Sequence, residues 1–362
     1  MMINRSRSVW RALAVASLVV VAASCGSDDE SATTPASVDE SAITPASDDE
    51  SATTSVSDES TPTTDSAAAD PLPRTVATPN GDVTIEEEPQ RIVALSGQTD
   101  LDSLIILGRM PIAACVQNME PGEGETKYPA YLPGSVETDI EPFECPPDAI
   151  NVEYIASLEP DLIIGDEVRA GDVFDQLSGI APTITFDRAL GYEANLLTIA
   201  AALGETPAAE QWLTEFDTRL DEVGTIAADA GFAEIPIAIL DPYPEFYSLN
   251  GAEGYPGDLL TRLGFGNIID PPGDPAEGVF GGVGISPEQL VSIEGAEYLF
   301  VLTGFPERVA EVAELRTSPV FQSISAVEAG NVIEVSDYWW YYPTPLSHLE
   351  LISDVERIIA GS

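Results

Sequence analysis

The side chains that could bind a charged ligand are scarce in this chain. Arg169 and Arg188 each follow an apolar, strand-like run, "DLIIG" and "TITF" respectively. A guanidinium binds anionic oxygens through a planar fork of hydrogen bonds. From Pro71 onward the sequence has only 11 Lys and Arg against 50 Asp and Glu, so we interpret both arginines as candidate ligand contacts. The alternative for each is an ion pair with a neighbouring carboxylate: Asp166, Glu167 or Asp187.

The second group of candidate binding residues is aromatic. The stretch "DYWWYYPTPLSH", residues 337–348, contains two of the chain's four tryptophans and its only histidine. Successive side chains of an extended segment point to opposite sides, so the rings cannot all face one way. We predict that Trp340 or a neighbour such as Trp339 faces a ligand cleft, and that the others pack beneath the last helix. A lone histidine is usually structural, so we assign His348 no catalytic role.

The sequence contains no pattern typical of reaction chemistry. It has no phosphate-binding loop, no His and Cys cluster with metal-ligand spacing and no nucleophile elbow. We therefore predict no catalytic residue, no metal site and no cofactor, and interpret the chain as a binding protein rather than an enzyme. The net charge of −39 from Pro71 onward argues against a nucleic-acid partner.

The hydrophobic pattern predicts a two-lobed α/β scaffold for these residues. Asn80 and Gly81 predict a β-hairpin, after which short apolar strands alternate with helical patterns as in a mostly parallel sheet. The stretch "TPAAEQWLTEFDTRLDEVGTIAADAG" predicts one long helix with Thr206 as N-cap, Pro207 in its first turn and Gly231 at its end. The alternation then resumes, so two similar lobes are joined by one bridging helix. The predicted boundaries are 73–204 for the N-terminal lobe, 205–231 for the bridging helix and 232–362 for the C-terminal lobe.

The predicted strand ends indicate where a ligand would bind. In open α/β sheets, ligands lie beyond the carboxyl ends of the strands. We therefore expect the residues that follow the strands to line a ligand cleft. Besides the two arginines, the first lobe contributes Ser96, Gln98, Gln117 and Asn118. Besides the tryptophans, the second lobe contributes Tyr243, Tyr247, Thr303 and Phe305.

The N-terminus is similar to an export signal. A basic stretch, "RSRSVWR", precedes an apolar run too short to be read as a membrane-spanning helix, and small residues lead to Cys25. "AASC" followed by "GSDDE" resembles the lipobox of bacterial lipoproteins, which implies removal of a signal peptide over 1–24 and lipidation of Cys25. The alternative is an ordinary secretory cleavage. Either cleavage places the mature chain outside the cytoplasm.

Residues 25–72 are predicted to form a tether that begins with the lipidated cysteine. The segment contains a loose ten-residue repeat, "DDESATTPAS", "VDESAITPAS" and "DDESATTSVS", without aromatic or positively charged residues. Such a composition cannot bury enough apolar surface to offset the entropy of ordering the chain. We interpret it as an acidic, disordered spacer between a lipid anchor and a globular body.

Two cysteines remain in the exported body, Cys115 and Cys145. An even number of cysteines in an oxidising compartment favours a disulfide. We predict that they are bonded to each other within the first lobe. The alternative is two buried free thiols.

The order of these segments resembles the class III substrate-binding proteins of ABC importers, the family that serves ferric siderophores, haem and vitamin B12. The resemblance covers about residues 73–361. The matching stretches are "GDVTIEEEPQRIVAL", "NVEYIASLEPDLIIG", "IAPTITFD", "GDLLTRLGFGN", "ISPEQLVSIEGAEYLFVL" and "SPVFQSISAVEAGNVIEV". In that family two lobes clasp one ligand in the cleft between them.

The resemblance implies a lipid-anchored extracytoplasmic receptor that binds a ferric siderophore and delivers it to an ABC permease for iron uptake. "NVEYIASLEPDL" and "ISPEQL" match the motifs that hold a permease-docking glutamate in each lobe, which carries that role to Glu153 and Glu288. The alternative for both is a first-turn carboxylate that interacts with the helix dipole. Vitamin B12 or haem as the ligand, or a sensor or adhesion protein on the same fold, are the other readings. We expect a monomer that contacts the membrane only through its lipid.

Overall fold

The computed structural model describes the globular body of the chain. The described residues are 70–116, 127–129, 131–146, 150–244, 246–273, 282–303, 306–335, 340 and 342–361, and they belong to one compact unit. The predicted signal peptide, Cys25 and all but the last residues of the tether lie outside them. So do four of the predicted cleft residues, Gln117, Asn118, Phe305 and Trp339.

The first lobe is built on a parallel sheet of five strands in the order β5-β4-β3-β6-β7. A hairpin of β1 and β2 precedes it, and Gly81 at the turn has a φ of 114°, which favours glycine. The strands are β1 Arg74–Thr78, β2 Gly81–Ile85, β3 Ile92–Ala94, β4 Ala113–Val116, β5 Glu141–Glu144, β6 Leu162–Asp166 and β7 Thr183–Phe186. The helices are α1 Thr99–Ile106, α2 Ser135–Asp139, α3 Val152–Ser157, α4 Glu167–Ala170, α5 Phe174–Ser178 and α6 Gly191–Leu203, with 3₁₀ turns at Gly171–Val173 and Arg188–Leu190.

The bridging helix α7 spans Thr206–Asp229, within the predicted range. Its N-cap is Glu205 rather than Thr206, which is the first helical residue, and no side chain caps this end. Gly231, just beyond the helix, has a φ of 87°, a left-handed conformation in which a side chain would be strained. Trp212 of α7 packs against the hydrophobic cores of both lobes, so this helix connects them physically as well as in sequence.

The second lobe is a mixed sheet of five strands in the order β10-β9-β8-β11-β12. The strands β8, β11 and β12 are parallel, whereas β9 and β10 are antiparallel additions at one edge. The strands are β8 Ile237–Pro242, β9 Tyr247–Asn250, β10 Val283–Ile285, β11 Tyr298–Leu302 and β12 Val332–Val335. The helices are α8 Gly257–Arg262, α9 Pro306–Leu315, α10 Pro319–Gln322, α11 Ser325–Ala329 and α12 Pro345–Gly361, with a 3₁₀ helix at Pro287–Ile293.

A disulfide links adjacent strands in the first lobe. Cys115 of β4 and Cys145, directly after β5, are bonded, and their Cα atoms are 5.6 Å apart. Both cysteines are buried in the layer of core residues on one face of the first sheet. Among the described residues, no helix is long and apolar enough to cross a membrane.

Candidate functional site

A cavity of about 750 Å³ lies between the two lobes. The first lobe lines it with Gln98 and Thr99 at the start of α1 and with residues 188–193 and Asn195 around the start of α6. The second lobe contributes Asp258 and Arg262 of α8 and several residues of the segment that leads into α12. Two of the predicted cleft residues, Gln98 and Arg188, therefore lie in its wall.

Gln98 reaches the cavity because of the glycine that precedes it. Gly97 has a φ of 73°, and a Cβ at this position would collide with the carbonyl oxygen of Cys115. The chain can therefore turn sharply from β3 into α1 only with glycine here.

Ser96, another predicted cleft residue, is not part of the described cavity wall. Its side chain is buried, and its hydroxyl accepts a hydrogen bond from the amide of Asp166 at 2.9 Å. Its own amide donates to Asp100 Oδ2 at 2.7 Å. Ser96 thus ties the end of β3 to the end of β6 and to α1, a structural role.

Asp166 forms ion pairs with both candidate arginines of the first lobe. This fully buried carboxylate lies 3.2 Å from Arg169 Nη1 and 3.8 Å from Arg188 Nε, and it also accepts a hydrogen bond from the amide of Arg169. The side chain of Arg169 is 10 % exposed and is absent from the cavity wall, so the ion-pair alternative describes its contacts. The side chain of Arg188 is 47 % exposed and lines the cavity.

At the end of β8, Tyr243 is part of an aromatic and ionic cluster. Its ring stacks on Phe246 with centroids 4.7 Å apart, and the guanidinium carbon of Arg308 lies 4.6 Å from its centroid. Arg308 forms a buried ion pair with Asp241 at 2.6 Å. The cluster lies at the strand end that the sequence predicts, but it is not part of the described cavity wall. Sequence reasoning missed Arg308, because α9 was not predicted and only the fold brings it to Asp241.

Tyr247 and Trp340, two of the predicted cleft residues, lie in the core of the second lobe. Tyr247 lies in β9 and packs in the core of the second lobe. Trp340 is completely buried, its ring stacks on Phe300 at 5.1 Å, and its Nε1 donates to Asp354 Oδ2 of α12 at 2.8 Å. Trp340 is thus one of the rings that pack beneath the last helix, and the aromatic residues of the cavity wall are Tyr192, Tyr342 and His348.

His348 is buried at the edge of the cavity in an aromatic cage. Its ring centroid is 4.7 Å from Tyr192, 5.1 Å from Tyr255 and 6.0 Å from Phe216. Burial, with a smaller contribution from the positive charge of Arg262, lowers the pKa of His348 to about 3. The imidazole is therefore neutral at physiological pH.

Asp102 of α1 connects the first lobe to the start of α12 in the second lobe. Its Oδ2 accepts a hydrogen bond from the amide of Leu346 at 3.1 Å, and its Oδ1 accepts one from the Tyr131 hydroxyl at 3.4 Å. That hydroxyl is also 3.2 Å from Thr344 Oγ1. Burial raises the pKa of Asp102 to about 7, although these hydrogen bonds favour the charged form. The contact is a polar junction between the lobes beside the cavity.

The two glutamates assigned to permease docking lie at exposed helix starts. Glu153 is in the first turn of α3, where the Asn151 side chain accepts a hydrogen bond from the Tyr154 amide. Glu288 is in the first turn of the 3₁₀ helix at Pro287–Ile293, which begins with a capping box of Ser286 and Gln289. Both exposed positions are compatible with contact to a permease, and equally with the alternative, in which each carboxylate interacts with the dipole of its own helix. In the ranges the structure describes, no group of three or more His, Cys, Asp or Glu side chains could hold a metal ion.

A family model described as "Periplasmic binding protein" matches residues 145–338, more than half of the chain. This chain belongs to the periplasmic binding protein family. Its two α/β lobes are those of the class III members, so the family and the fold predicted from the segment order are confirmed. Members of the family bind substrates, and the chain is accordingly a binding protein rather than an enzyme.

Several known proteins are similar to the chain. It is 27 % identical over 274 residues to the "Probable siderophore-binding lipoprotein YfiY" of Bacillus subtilis, covering 71 % of this chain and 78 % of that protein. It is 26 % identical to the "Fe(3+)-citrate-binding protein YfmC" of the same organism, covering 74 % and 79 % respectively. The crystal structure of Staphylococcus aureus SirA complexed with staphyloferrin B superposes with a TM-score of 0.64 at 24 % identity, covering 79 % of this chain and 98 % of that one.

Proposed function

We propose that this chain is an extracytoplasmic, lipid-anchored receptor that binds a ferric siderophore between its lobes and delivers it to the permease of an ABC importer for iron uptake. The observation that carries the proposal is the cavity of about 750 Å³ whose wall is built from both lobes of a substrate-binding fold. This volume is typical of sites that enclose a small molecule. The names of the relatives support an iron chelate as the ligand class.

Iron would enter this site as a complete chelate, so the metal is cargo rather than a resident cofactor. The chain has a single histidine, and sites for a bare transition metal usually need several nitrogen or sulfur ligands. The polar groups of the cavity wall would then contact the organic part of the chelate. Gln98 and Arg188 from the first lobe would meet the ligand from one side, and the segment before α12 from the other.

Tryptophan fluorescence tests ligand binding directly. Trp212 packs against the cores of both lobes. Its fluorescence should change when a ligand alters the contact between the lobes. We expect saturable quenching by a ferric siderophore and a much weaker response to the iron-free siderophore. Tight binding of cobalamin or haem, with no response to any ferric siderophore, would contradict the proposed ligand class.

Delivery to a permease is tested at the two docking glutamates. Glu153→Arg combined with Glu288→Arg should leave ligand affinity nearly unchanged, because both side chains are exposed and absent from the cavity wall. The resemblance implies that these glutamates meet arginines of the permease. Uptake should therefore fall severely, since like charges would then meet across the interface. A matched control is Glu210→Arg combined with Glu234→Arg, two exposed glutamates elsewhere on the surface. Uptake that falls equally in both double variants, or in neither, would exclude a specific docking role.

A further inference from the structure

Among the described residues, the formal charges of the cavity wall cancel. Arg188 and Arg262 contribute two positive charges, and Glu193 and Asp258 contribute two negative charges. Arg262 is already engaged, because its Nη2 donates to Asp217 Oδ1 at 2.7 Å and its Nη1 lies 3.8 Å from Glu193 Oε1. A highly anionic ligand in this cavity would therefore have to displace an existing ion pair.

Arg188 is the arginine of the described cavity wall that can turn towards a ligand. Its Nε is 3.8 Å from Asp166 Oδ1, while the other oxygen of that carboxylate binds Arg169 Nη1 at 3.2 Å. One half-exposed guanidinium can offset about one negative charge of a ligand. The surrounding body, with 11 Lys and Arg against 50 Asp and Glu from Pro71 onward, repels further negative charge.

His348 supplies an uncharged polar contact in the same cavity. The side chain is 4 % exposed and lines the cavity, yet neither ring nitrogen has a hydrogen-bond partner among the described residues. A neutral imidazole has one N–H donor and one acceptor nitrogen. Buried polar groups of this kind normally find partners, so an unpaired imidazole at a cavity wall is suited to hydrogen bonding with a ligand.

We infer that the cavity selects a ferric chelate with little or no net negative charge, and that an uncharged polar group of this chelate hydrogen-bonds to His348. The inference rests on the proposed function and specifies the chemical class of its ligand. Three hydroxamate anions balance the charge of Fe³⁺, so a ferric trihydroxamate without any other ionised group is uncharged. A trihydroxamate whose backbone also contains amide groups offers both a donor and an acceptor to the imidazole. A ferric tris-catecholate carries three excess negative charges, more than Arg188 can offset as the one guanidinium of the described cavity wall without a short ion pair.

The charge selectivity is tested by titrating the full body of the protein with three ferric complexes: a trihydroxamate, a tris-catecholate and the citrate complex. Tryptophan fluorescence should show at least about tenfold tighter binding of the trihydroxamate than of either anionic complex. Tighter binding of the tris-catecholate or of the citrate complex would overturn the inference while leaving the proposed function intact. Absence of binding by all three would overturn the proposed function and the inference with it.

The role of His348 has a readout of its own, because it is the only histidine of the chain. The ¹⁵N resonances of its imidazole are thus assigned without mutagenesis, and the diamagnetic Ga³⁺ trihydroxamate permits their observation in the complex. We expect at least one ring nitrogen to shift as the Ga³⁺ complex binds. Unchanged resonances in a saturated complex would refute the contact.

Two substitutions separate hydrogen bonding from packing at this position. His348→Phe keeps a ring within the cage of Tyr192, Tyr255 and Phe216 but removes both nitrogens. It should weaken binding of the ferric trihydroxamate about tenfold, the loss of about one hydrogen bond, without lowering the melting temperature. His348→Gln, which keeps a donor and an acceptor, should retain more of the affinity. Wild-type affinity in the phenylalanine variant would overturn the assignment of His348.

Discussion

Replacing Asp102 with asparagine should flatten the dependence of stability on pH. Asp102 is completely buried at the junction of the lobes, where it accepts hydrogen bonds from the Leu346 amide and the Tyr131 hydroxyl. An asparagine has nearly the same shape, its oxygen can still accept from the Leu346 amide, and its NH₂ group can donate to a hydroxyl oxygen. The substitution therefore removes the titration while keeping most of the packing.

The magnitude follows from the pKa of Asp102, which burial raises from 3.8 to about 7. One pKa unit corresponds to about 1.4 kcal/mol, so the full linkage is worth about 4 kcal/mol. Because the folded state holds the proton more tightly, this stabilisation is fully present below pH 3.8 and is lost as the pH rises to about 7. Between pH 5 and pH 8 the free energy of unfolding of the wild type should therefore fall by about 3 kcal/mol relative to that of Asp102→Asn.

Urea denaturation at several pH values between 5 and 8 measures this difference. Asp100, whose pKa burial raises to about 6, is present in both proteins, so its contribution should largely cancel in the comparison. Asp82→Asn, at an exposed carboxylate of the β-hairpin, is the matched control and should follow the wild-type curve. If the free energies of unfolding of wild type and Asp102→Asn run parallel over this range, Asp102 does not hold a proton in the folded state and the reasoning is wrong.

Three further predictions concern the anchor, the disulfide and the cavity. Cys25→Ser should release the protein into the soluble fraction, and a variant that stays in the membrane fraction would contradict lipidation. Mass spectrometry of the non-reduced protein should find no free thiol at Cys115 and Cys145, and reduction should lower stability by about 2–4 kcal/mol; two free thiols would refute the bond in solution. Arg188→Ala should weaken siderophore binding by about tenfold, whereas Arg316→Ala, at an exposed ion pair that is absent from the cavity wall, should not; equal affinities would remove Arg188 from the site.

The sequence predicted those elements whose signals are local. An Asn-Gly pair is sufficient to indicate the hairpin at Asn80 and Gly81, and 24 residues of helical pattern are sufficient to indicate α7. The strands β9 and β10 were missed. The prolines at 242 and 244 within "DPYPEFY" favour a turn or an irregular segment after β8, and each of these two strands has only three or four residues.

The candidate site was harder to predict. The rule that ligands bind beyond the carboxyl ends of strands gives the position of a residue, but not the direction in which its side chain points. The rule correctly places Ser96, Gln98 and Tyr243 at the carboxyl edges of the sheets. It does not reveal that Ser96 turns inwards to the amide of Asp166 while Gln98 turns to the cavity. The contact of Asp102 with Leu346 joins residues 244 positions apart, so no local pattern could indicate it.

The polarity of the cavity depends on where three helices begin as well as on its side chains. The wall contains Thr99 at the start of α1, Gly191 at the start of α6 and Thr344, directly before α12. Helix N-termini carry a partial positive charge. At α12 the amides of Thr344 and Leu346 already donate to Ser347 Oγ and Asp102 Oδ2. Such partial charges suit the carbonyl oxygens of an uncharged chelate, and they arise without adding a lysine or arginine to an acidic body. A cavity of this kind can be polar towards its ligand while the formal charges of its described wall cancel.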